Sequence, residues 1–388
     1  MSRPAALAIA LGWMLGCGAG CAEDADVEDT GTDGGPRRDG GFDLADYVDA
    51  EAFVYDWSCT GEVAPDEAVP SADPPITDCS AGIWPDLAVE SICPTVTDVT
   101  RTDPDTGEPL PPADDRSLPL DIAPSESGSF LPAGVPATWP ASLKVVAWNM
   151  EYTDELDAQL ESITTDPRLA DADVYLLSEV DRCSTRNDVR RAARLIAERI
   201  SGAYVYGIEF VELSIGRTVG GDTGQAIVSR RPITGAALTC HSSQSDWFAS
   251  DGQPRLGQRV VLHADIPAGD TSARVYAVHF ESNDALGDKR AVQVKELLDA
   301  AQARACDRPQ IVAGDFNTWY DTAPELVLMR NAGYVDALAT SGDTSSTHDN
   351  GTRLDYVWVR GMTVRGGGVL SDVLTSDHRP VWAEVSVE

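Results

Sequence analysis

The strongest constraint on the fold of this chain is a series of short apolar runs that end on polar side chains. The run 311–314 (IVAG) leads directly into Asp315 and Asn317 in the stretch IVAGDFN. A short apolar run bounded by glycine predicts a buried strand, and the residue after such a strand lies in the loops that usually hold ligands. A single Asp-x-Asn is more often a turn, so its meaning depends on partners elsewhere in the chain.

From residue 143 onward, apolar runs alternate with helical patterns, as in proteins of the α/β class. The predicted strands are residues 143–149, 173–180, 259–266, 273–282, 353–360 and 379–387. The predicted helices are residues 187–200 and 289–304, in which apolar residues recur at helical spacing.

Five other strand ends or entries in this part of the chain also carry polar residues: Asn149, Glu179, His279, Asp355 and the pair Asp377/His378. Taken singly, each has a structural explanation, such as a strand-end cap, a satisfied core histidine or a salt-bridge partner. Taken together, they predict one common site. Histidine offers a proton donor near neutral pH, and the carboxylate and amide oxygens suit a hard cation such as Mg²⁺ or Mn²⁺.

Seven segments occur in the order typical of the endonuclease/exonuclease/phosphatase superfamily: WNM, LLSEVD, GQAIVSRRPI, VHFES, GDFN, RLDYV and SDHRPV. The chain resembles this superfamily over about residues 143–388. The resemblance implies a four-layer α/β/β/α sandwich, in which two mixed β-sheets pack face to face with helices outside. It also implies Mg²⁺-assisted hydrolysis of a phosphoester.

Carried over residue by residue, the resemblance assigns the cation to Glu179, with Asn149 holding metal or phosphate beside it. Asp315 would activate the attacking water, and Asn317 would position the phosphate. Asp377 would support the metal or the water network.

The same resemblance assigns proton transfer to the two histidines. His279 would protonate the leaving group, while His378, oriented by Asp355, would contact the scissile phosphate. Arg259 stands where some members place an arginine that neutralises the phosphate.

Charge is unevenly distributed along the chain. Residues 1–140 contain 27 acidic and 5 basic residues, a net charge of −22, whereas residues 141–388 contain 36 and 24, a net charge of −12. A protein that grips duplex DNA without sequence preference normally displays a basic face, and this composition does not indicate one.

The first 21 residues predict an export signal, with one arginine, a short apolar core and small residues around Cys17 and Cys21. Both cysteines follow lipobox-like residues, so the mature chain is predicted to be a membrane-anchored lipoprotein. Ordinary cleavage, which would give a secreted or periplasmic protein, is the alternative. Residues 22–42 are acidic and glycine-rich and predict a disordered tether.

Residues 43–140 are rich in proline and contain three cysteines, Cys59, Cys79 and Cys93, but show no sustained period and no recognisable chemistry. In an exported chain such cysteines predict disulfides, while zinc is disfavoured because no histidine precedes His241. The catalytic domain is predicted to span residues 141–388.

The substrate is left open between a nucleic acid, a phospholipid headgroup and a small phosphodiester, and no protein partner is predicted. A catalytically silent binding module on the same fold is the alternative to an enzyme. An arginine cluster follows Glu179 and predicts either a solvated helix face or a phosphate site: Arg182, Arg186, Arg190, Arg191 and Arg194. Trp319 and Tyr320 either border the substrate or pack against the next helix.

Overall fold

The computed structural model describes residues 90–92, 125–136, 138–212, 221–245, 247 and 255–387. The predicted signal peptide, both lipobox-like cysteines, the acidic tether and most of residues 43–140 lie outside the described residues. In the part of the chain that the structure describes, no helix is both long and apolar enough to cross a lipid bilayer.

One mixed sheet contains nine of the described strands: β2 (Ser125–Ser129), β3 (Ser142–Asn149), β4 (Val174–Ser184), β5 (Arg190–Arg191), β6 (Ala203–Glu212), β7 (Asp222–Ser229), β9 (Arg255–Gly257), β15 (Thr363–Val369) and β16 (Val381–Ser386). Its main path runs β15-β16-β3-β4-β7-β6-β2. Strands β3 and β4 are parallel and pair Asn149 with Ser178, so the predicted ends of these two strands are neighbours.

The other mixed sheet contains seven of the described strands: β1 (Glu90–Ile92), β8 (Thr234–Cys240), β10 (Val260–Ala268), β11 (Thr271–His279), β12 (Gln310–Asp315), β13 (Val335–Asp336) and β14 (Asp355–Arg360). Their order is β1-β8-β10-β11-β12-β14-β13. The pair β11/β12 is parallel and β12/β14 is antiparallel, which brings three predicted site residues into one row.

The sheets face each other across a continuous apolar core. Val145 and Leu176 of the nine-stranded sheet share this core with Val275, Ile311 and Val357 of the seven-stranded sheet, and all five are buried. Alternate residues of the same strands point outward, because successive side chains of a strand lie on opposite faces.

The described helices are α1 (Leu156–Thr165), α2 (Pro167–Ala170), α3 (Ala192–Ile200), α4 (Asp288–Ala305), α5 (Pro324–Asn331) and α6 (Ala337–Thr340). Helices α1 and α3 bury apolar faces against the outer side of the nine-stranded sheet, where Ile163 and Ile196 pack with Tyr175 and Tyr204. Helices α4 and α5 are joined by Arg290 and Glu325, whose Nε and Oε1 atoms lie 2.7 Å apart. The predicted four-layer α/β/β/α sandwich is confirmed.

Several element boundaries differ from the predictions; for example, β4 runs to Ser184 instead of residue 180, and β11 ends at His279 instead of residue 282. The helix predicted from residue 187 begins at Ala192, because Thr185–Asn187 forms a 3₁₀ turn and Asp188 and Val189 have positive φ angles. The nine-stranded sheet also extends upstream of residue 141, since β2 pairs with β6. Cys183, Cys240 and Cys306 are disulfide-bonded.

Candidate active site

His279, Asp315 and Asp355 lie side by side at one edge of the seven-stranded sheet. The register pairs His279 with Asp315 across the parallel ladder and Asp315 with Asp355 across the antiparallel ladder. All three side chains are buried, with exposures of 3%, 1% and 0%. The sheet pairing therefore brings together three of the predicted catalytic residues from distant parts of the sequence.

Asp315 is the centre of the cluster. Its Oδ2 atom accepts a hydrogen bond from Nδ2 of Asn149 at 3.1 Å, and its Oδ1 atom accepts one from the backbone N–H of Asn317 at 2.8 Å. The same Oδ2 atom lies 3.7 Å from Nε2 of His279 and 3.8 Å from Nε2 of His378. A carboxylate between two imidazoles is suited to proton transfer.

His378 is in contact with Asp355 on the side of its ring away from Asp315. Its Nδ1 atom lies 2.8 Å from Oδ2 of Asp355, which leaves Nε2 directed toward Asp315. Burial lowers the pKa of His378, but the Asp355 and Asp315 carboxylates outweigh this effect and raise the pKa to about 10. The loop that carries His378, just before β16, is fixed by Ser376. The Ser376 hydroxyl donates to the Asn149 carbonyl and accepts the N–H of His378.

His279 has a similar partner that the sequence interpretation missed. Its Nδ1 atom lies 3.3 Å from Oε2 of Glu209, a buried residue of β6. Burial raises the pKa of Glu209, but Arg259 and His279 outweigh it and hold the pKa at about 2. The signal was available, since Glu209 interrupts an apolar strand as Glu179 does.

Arg259 lies behind Glu209 and His279 in the interior. Its Nη1 atom lies 2.7 Å from Oε1 of Glu209, and its Nη2 atom donates to Ser282 at 3.1 Å. The guanidinium also stacks near Phe210 and Trp247, and the residue is 1% exposed. Arg259 therefore neutralises the carboxylate behind His279, and its predicted contact with the substrate phosphate stays a prediction.

Glu179 lies where the β4/β7 ladder shifts register, and its φ angle of 51° turns the backbone out of regular strand geometry. Its Oε1 atom is 3.8 Å from Nε2 of His279, and no described residue donates a hydrogen bond to its carboxylate. Burial raises the pKa of Glu179, an effect that His279 and Arg255 only partly oppose.

This part of the site fits a divalent cation. The Glu179 carboxylate, whose side chain is 16% exposed, receives no hydrogen bond from a described residue and lies near enough to Asp315 for the two charges to interact, and such carboxylate oxygens are the ligands that Mg²⁺ and Mn²⁺ prefer. Asn149 already donates Nδ2 to Asp315 and accepts the N–H of Glu151 on Oδ1. Its amide therefore positions Asp315, while its backbone pairs with Ser178, the residue before Glu179.

Asn317 and Asp377 lie at the margins of the cluster. Asn317 has a φ angle of 48° and donates Nδ2 to the carbonyl of Phe280, so it ties the loop after β12 to the loop after β11. Asp377 has a half-exposed side chain, and its backbone N–H donates to Glu151. A carboxylate oxygen of Asp377 lies within 4.8 Å of ring nitrogens of His378 and His348. Glu179 is not part of this cluster.

The second of these histidines, His348, is another residue that the sequence interpretation missed. Its ring packs edge-on against that of His378 with centroids 4.6 Å apart, and its Nε2 atom lies 3.5 Å from Oδ2 of Asp377. Its Nδ1 atom accepts the backbone N–H of Asn350, so a neutral ring carries its proton on Nε2.

Most of the arginine cluster that follows Glu179 is internal, whereas Arg190 is part-exposed and pairs with the exposed Asp157 and Asp188. Arg182 is buried against Asp222 at 2.9 Å, and Arg186 lies 2.8 Å from Asp181. Arg182 and Arg191 also share the carboxylate of Glu126 in β2, each at 3.7 Å. These guanidiniums belong to an internal network of ion pairs.

Comparison with known proteins places this site in a family. Residues 146–378, more than half of the chain, match the Endonuclease/Exonuclease/phosphatase family. No curated protein matches the chain in sequence.

Three solved structures resemble this chain at low sequence identity. An endonuclease/exonuclease/phosphatase from Beutenbergia cavernae is 20% identical, covering 63% of this chain and 72% of its own, with a TM-score of 0.49. The human Nocturnin catalytic domain with bound sulfate is 17% identical and covers 65% and 97%, with a TM-score of 0.47. Beta toxin from Staphylococcus aureus is 19% identical and covers 62% and 99%, with a TM-score of 0.46. By its matching residues, the chain belongs to the endonuclease/exonuclease/phosphatase family, whose members hydrolyse phosphoester bonds.

Proposed function

We propose that the protein is an exported, Mg²⁺-dependent phosphodiesterase that activates water for attack on phosphorus. The observation that carries this proposal is the pair of histidine–carboxylate couples that converge on Asp315. His279 with Glu209 lies on one side and His378 with Asp355 on the other. Hydrolysis of a phosphodiester requires one group to accept a proton and another to deliver one, and this arrangement supplies both.

Asp315 accepts the proton of the attacking water. Asn149 and the N–H of Asn317 hold its two carboxylate oxygens, so the base has one fixed orientation. Glu179 would hold the cation, which would supply charge neutralisation for the phosphate and a lower pKa for the attacking water.

His279 delivers a proton to the leaving oxygen through Nε2. Glu209 fixes the ring at Nδ1, and Arg259 fixes Glu209 in turn. His378 is a cation at neutral pH, because Asp355 and Asp315 raise its pKa to about 10 despite the opposing effect of burial. It therefore stabilises negative charge that develops on the phosphate oxygens.

A catalytically silent module would be expected to have lost part of this set. The chain keeps Glu179, Asp315, both histidines and both of their carboxylate partners in contact with one another. The described arrangement therefore favours the enzyme over the silent module.

The test is a substrate panel assayed on the full mature chain with Mg²⁺, with Mn²⁺ and with excess EDTA. The panel contains DNA, RNA, sphingomyelin, inositol phosphates and bis(p-nitrophenyl) phosphate. We expect cation-dependent hydrolysis of diesters in preference to monoesters. The proposal would be overturned if no substrate were hydrolysed under any of these conditions. It would also be overturned if Asp315→Asn left the rate of hydrolysis unchanged.

Export is part of the same proposal. It is supported by the apolar leader and its two cysteines. Mass spectrometry of the mature N-terminus is expected to find a diacylglyceryl group on Cys17 or Cys21. An unmodified terminus beyond Cys21 would instead indicate a secreted or periplasmic protein.

A further inference from the structure

One polar side chain interrupts the buried face of helix α1. The buried residues of this helix recur at helical spacing, and they are Leu156, Gln159, Leu160 and Ile163. Gln159 is 0% exposed. Because a buried amide normally has hydrogen-bond partners, the partners of Gln159 indicate what this side chain does.

The amide of Gln159 bridges two loops of the candidate active site. Its Nε2 atom donates to the carbonyl of Met150 and to the carbonyl of Thr375, both at 2.9 Å. Both partners can only accept, so the amide nitrogen and not the amide oxygen has to face them. Oε1 accepts no hydrogen bond from a described residue. The two N–H groups are therefore what the amide contributes.

The bridged loops carry groups from two sides of Asp315. Met150 follows Asn149, whose Nδ2 atom donates to Oδ2 of Asp315. Thr375 lies three residues before His378, whose Nε2 atom is 3.8 Å from the same oxygen. The separation of the two loops therefore sets where both groups lie relative to the proposed base.

Direct hydrogen bonds also join these loops. They run from Trp148 Nε1 to the His378 carbonyl at 3.1 Å, from Ser376 Oγ to the Asn149 carbonyl at 2.8 Å, and from the Asp377 N–H to Glu151 Oε2 at 2.9 Å. Gln159 differs from them because it belongs to a helix outside both loops. This helix packs on the nine-stranded sheet through Leu160 and Ile163. Gln159 therefore fixes the loops to the sheet as well as to each other.

We propose that Gln159 is a positioning residue for the reaction and holds Asn149 and His378 at a fixed separation around Asp315. Its part in catalysis rests on the proposed function. A displacement of about 1 Å among reacting groups can lower a rate about 100-fold. Because Gln159 is fully buried, it does not touch the substrate, and its loss should change kcat and leave KM nearly unchanged.

Gln159→Met tests this role, because methionine has a similar length and no N–H group. We expect kcat for bis(p-nitrophenyl) phosphate to fall about 10- to 100-fold, with little change in KM. An amide shortened by one methylene group cannot reach both carbonyls. Gln159→Asn should therefore show the same loss, and it replaces the methionine variant if that protein does not fold.

Gln310→Met is the matched control. Gln310 is also 0% exposed, donates to the carbonyl of Ala305 and accepts the hydroxyl of Tyr334. It begins β12, whereas Asp315 ends that strand. Gln310→Met should lower the urea midpoint of unfolding about as much as Gln159→Met, because each removes buried hydrogen bonds, but it should leave kcat unchanged.

The direct bond through Ser376 provides a second measure. Since Ser376 and Gln159 hold the same two loops, Gln159→Met combined with Ser376→Ala should lose more kcat than the product of the two single losses. Gln159→Met combined with Gln310→Met should lose no more kcat than Gln159→Met alone.

Hydrogen exchange separates failure of this inference from failure of the proposed function, because it needs no turnover. Backbone N–H groups of residues 149–153 and 375–378 should exchange faster in Gln159→Met than in the natural protein, and at the natural rate in Gln310→Met. Unchanged exchange in either segment, equal losses of kcat in the two methionine variants, or a loss confined to KM would overturn the proposal. If the natural protein hydrolyses no diester, the hydrolase is refuted, while faster exchange of both segments would still show that Gln159 joins the two loops.

Discussion

Oε2 of Glu209 lies 3.3 Å from Nδ1 of His279, on the side of the ring opposite the atom that approaches Asp315. A carboxylate in this place fixes which ring nitrogen carries a proton and which way the ring points. We therefore expect Glu209 to position the ring of His279, the proposed proton donor, although Glu209 lies in β6 of the other sheet.

Glu209→Gln should lower kcat by roughly 10- to 1000-fold, since the amide cannot stabilise a charged imidazole. KM should change little. Combining it with His279→Ala should add almost nothing to the loss from His279→Ala alone, because no ring is left to orient. Steady-state kinetics on a soluble diester measure this, with the exposed Glu384→Gln as control; additive losses would assign Glu209 an independent role.

The same carboxylate should stabilise the fold above acidic pH. Burial raises its pKa, but Arg259 and His279 outweigh this and lower the pKa from 4.5 to about 2. A lowered acid pKa gives stability that is present above pH 4.5 and lost as the pH falls toward 2. The shift corresponds to about 3 kcal/mol at about 1.4 kcal/mol per pKa unit.

Urea unfolding in EDTA should therefore show the largest difference between the natural protein and Glu209→Gln at pH 5 and above. The difference in the free energy of unfolding should shrink as the pH approaches 2. A difference that stays constant over this range would mean that Glu209 is not charged in the folded protein.

Asp315→Asn should reduce kcat by about two to four orders of magnitude with little change in KM, the usual scale for loss of a general base. His378→Ala should cost a similar amount. Adding Asp355→Ala to His378→Ala should add little, because Asp355 acts through the ring at 2.8 Å. If the double variant loses the product of two large factors, Asp355 has a separate task.

Hydrolysis should require a divalent cation. Excess EDTA should abolish activity, and Mg²⁺ or Mn²⁺ should restore it. Glu179→Gln should raise the Mg²⁺ concentration for half-maximal activity about tenfold or more, since it removes a charged oxygen ligand. A matched titration of Glu151→Gln, whose carboxylate accepts the N–H of Asp377, provides the comparison. Full turnover in EDTA would exclude the cation from the reaction.

His348→Ala should lower kcat/KM for the diester by about tenfold, because it removes the ring that supports His378 and a donor near Asp377. His348→Phe keeps a ring against His378 but has no Nε2–H. Recovery of activity by phenylalanine would show that packing is what matters. Activity equal to that of the alanine variant would assign the effect to the lost hydrogen-bond donor.

The sequence predicted the site residues best where a polar side chain ends an apolar strand. Asp315 and His279 were found in this way, because an isolated polar residue is conspicuous at the edge of a buried run. The sheet register that joins them could not be read from spacing, since their partners are set by strand order. The superfamily resemblance implied two mixed sheets packed face to face but gave no strand order.

Residues that act through tertiary contacts were harder to predict. Arg259 was predicted at the substrate phosphate. It is buried beside its counter-ion Glu209, which lies fifty residues away in sequence and so could not be identified from spacing. His348 is in a polar loop with no apolar run to mark it. The helix predicted at residue 187 starts later because a turn with two left-handed residues, Asp188 and Val189, precedes it.

The burial of Glu126 bears on where a stable catalytic fragment has to begin. This residue, 4% exposed, accepts the hydroxyl of Tyr204 at 2.5 Å and stands between Arg182 and Arg191. A protein shortened to residue 141 would keep the proposed catalytic side chains but lose the Glu126 carboxylate, so that Arg182 would keep Asp222 while Arg191 would lose a buried counter-charge. Breaking a buried pair on one side costs roughly 3 to 5 kcal/mol. A recombinant catalytic fragment therefore has to start upstream of Ser125. Proteolytic removal of β2 would lower the stability of the folded protein.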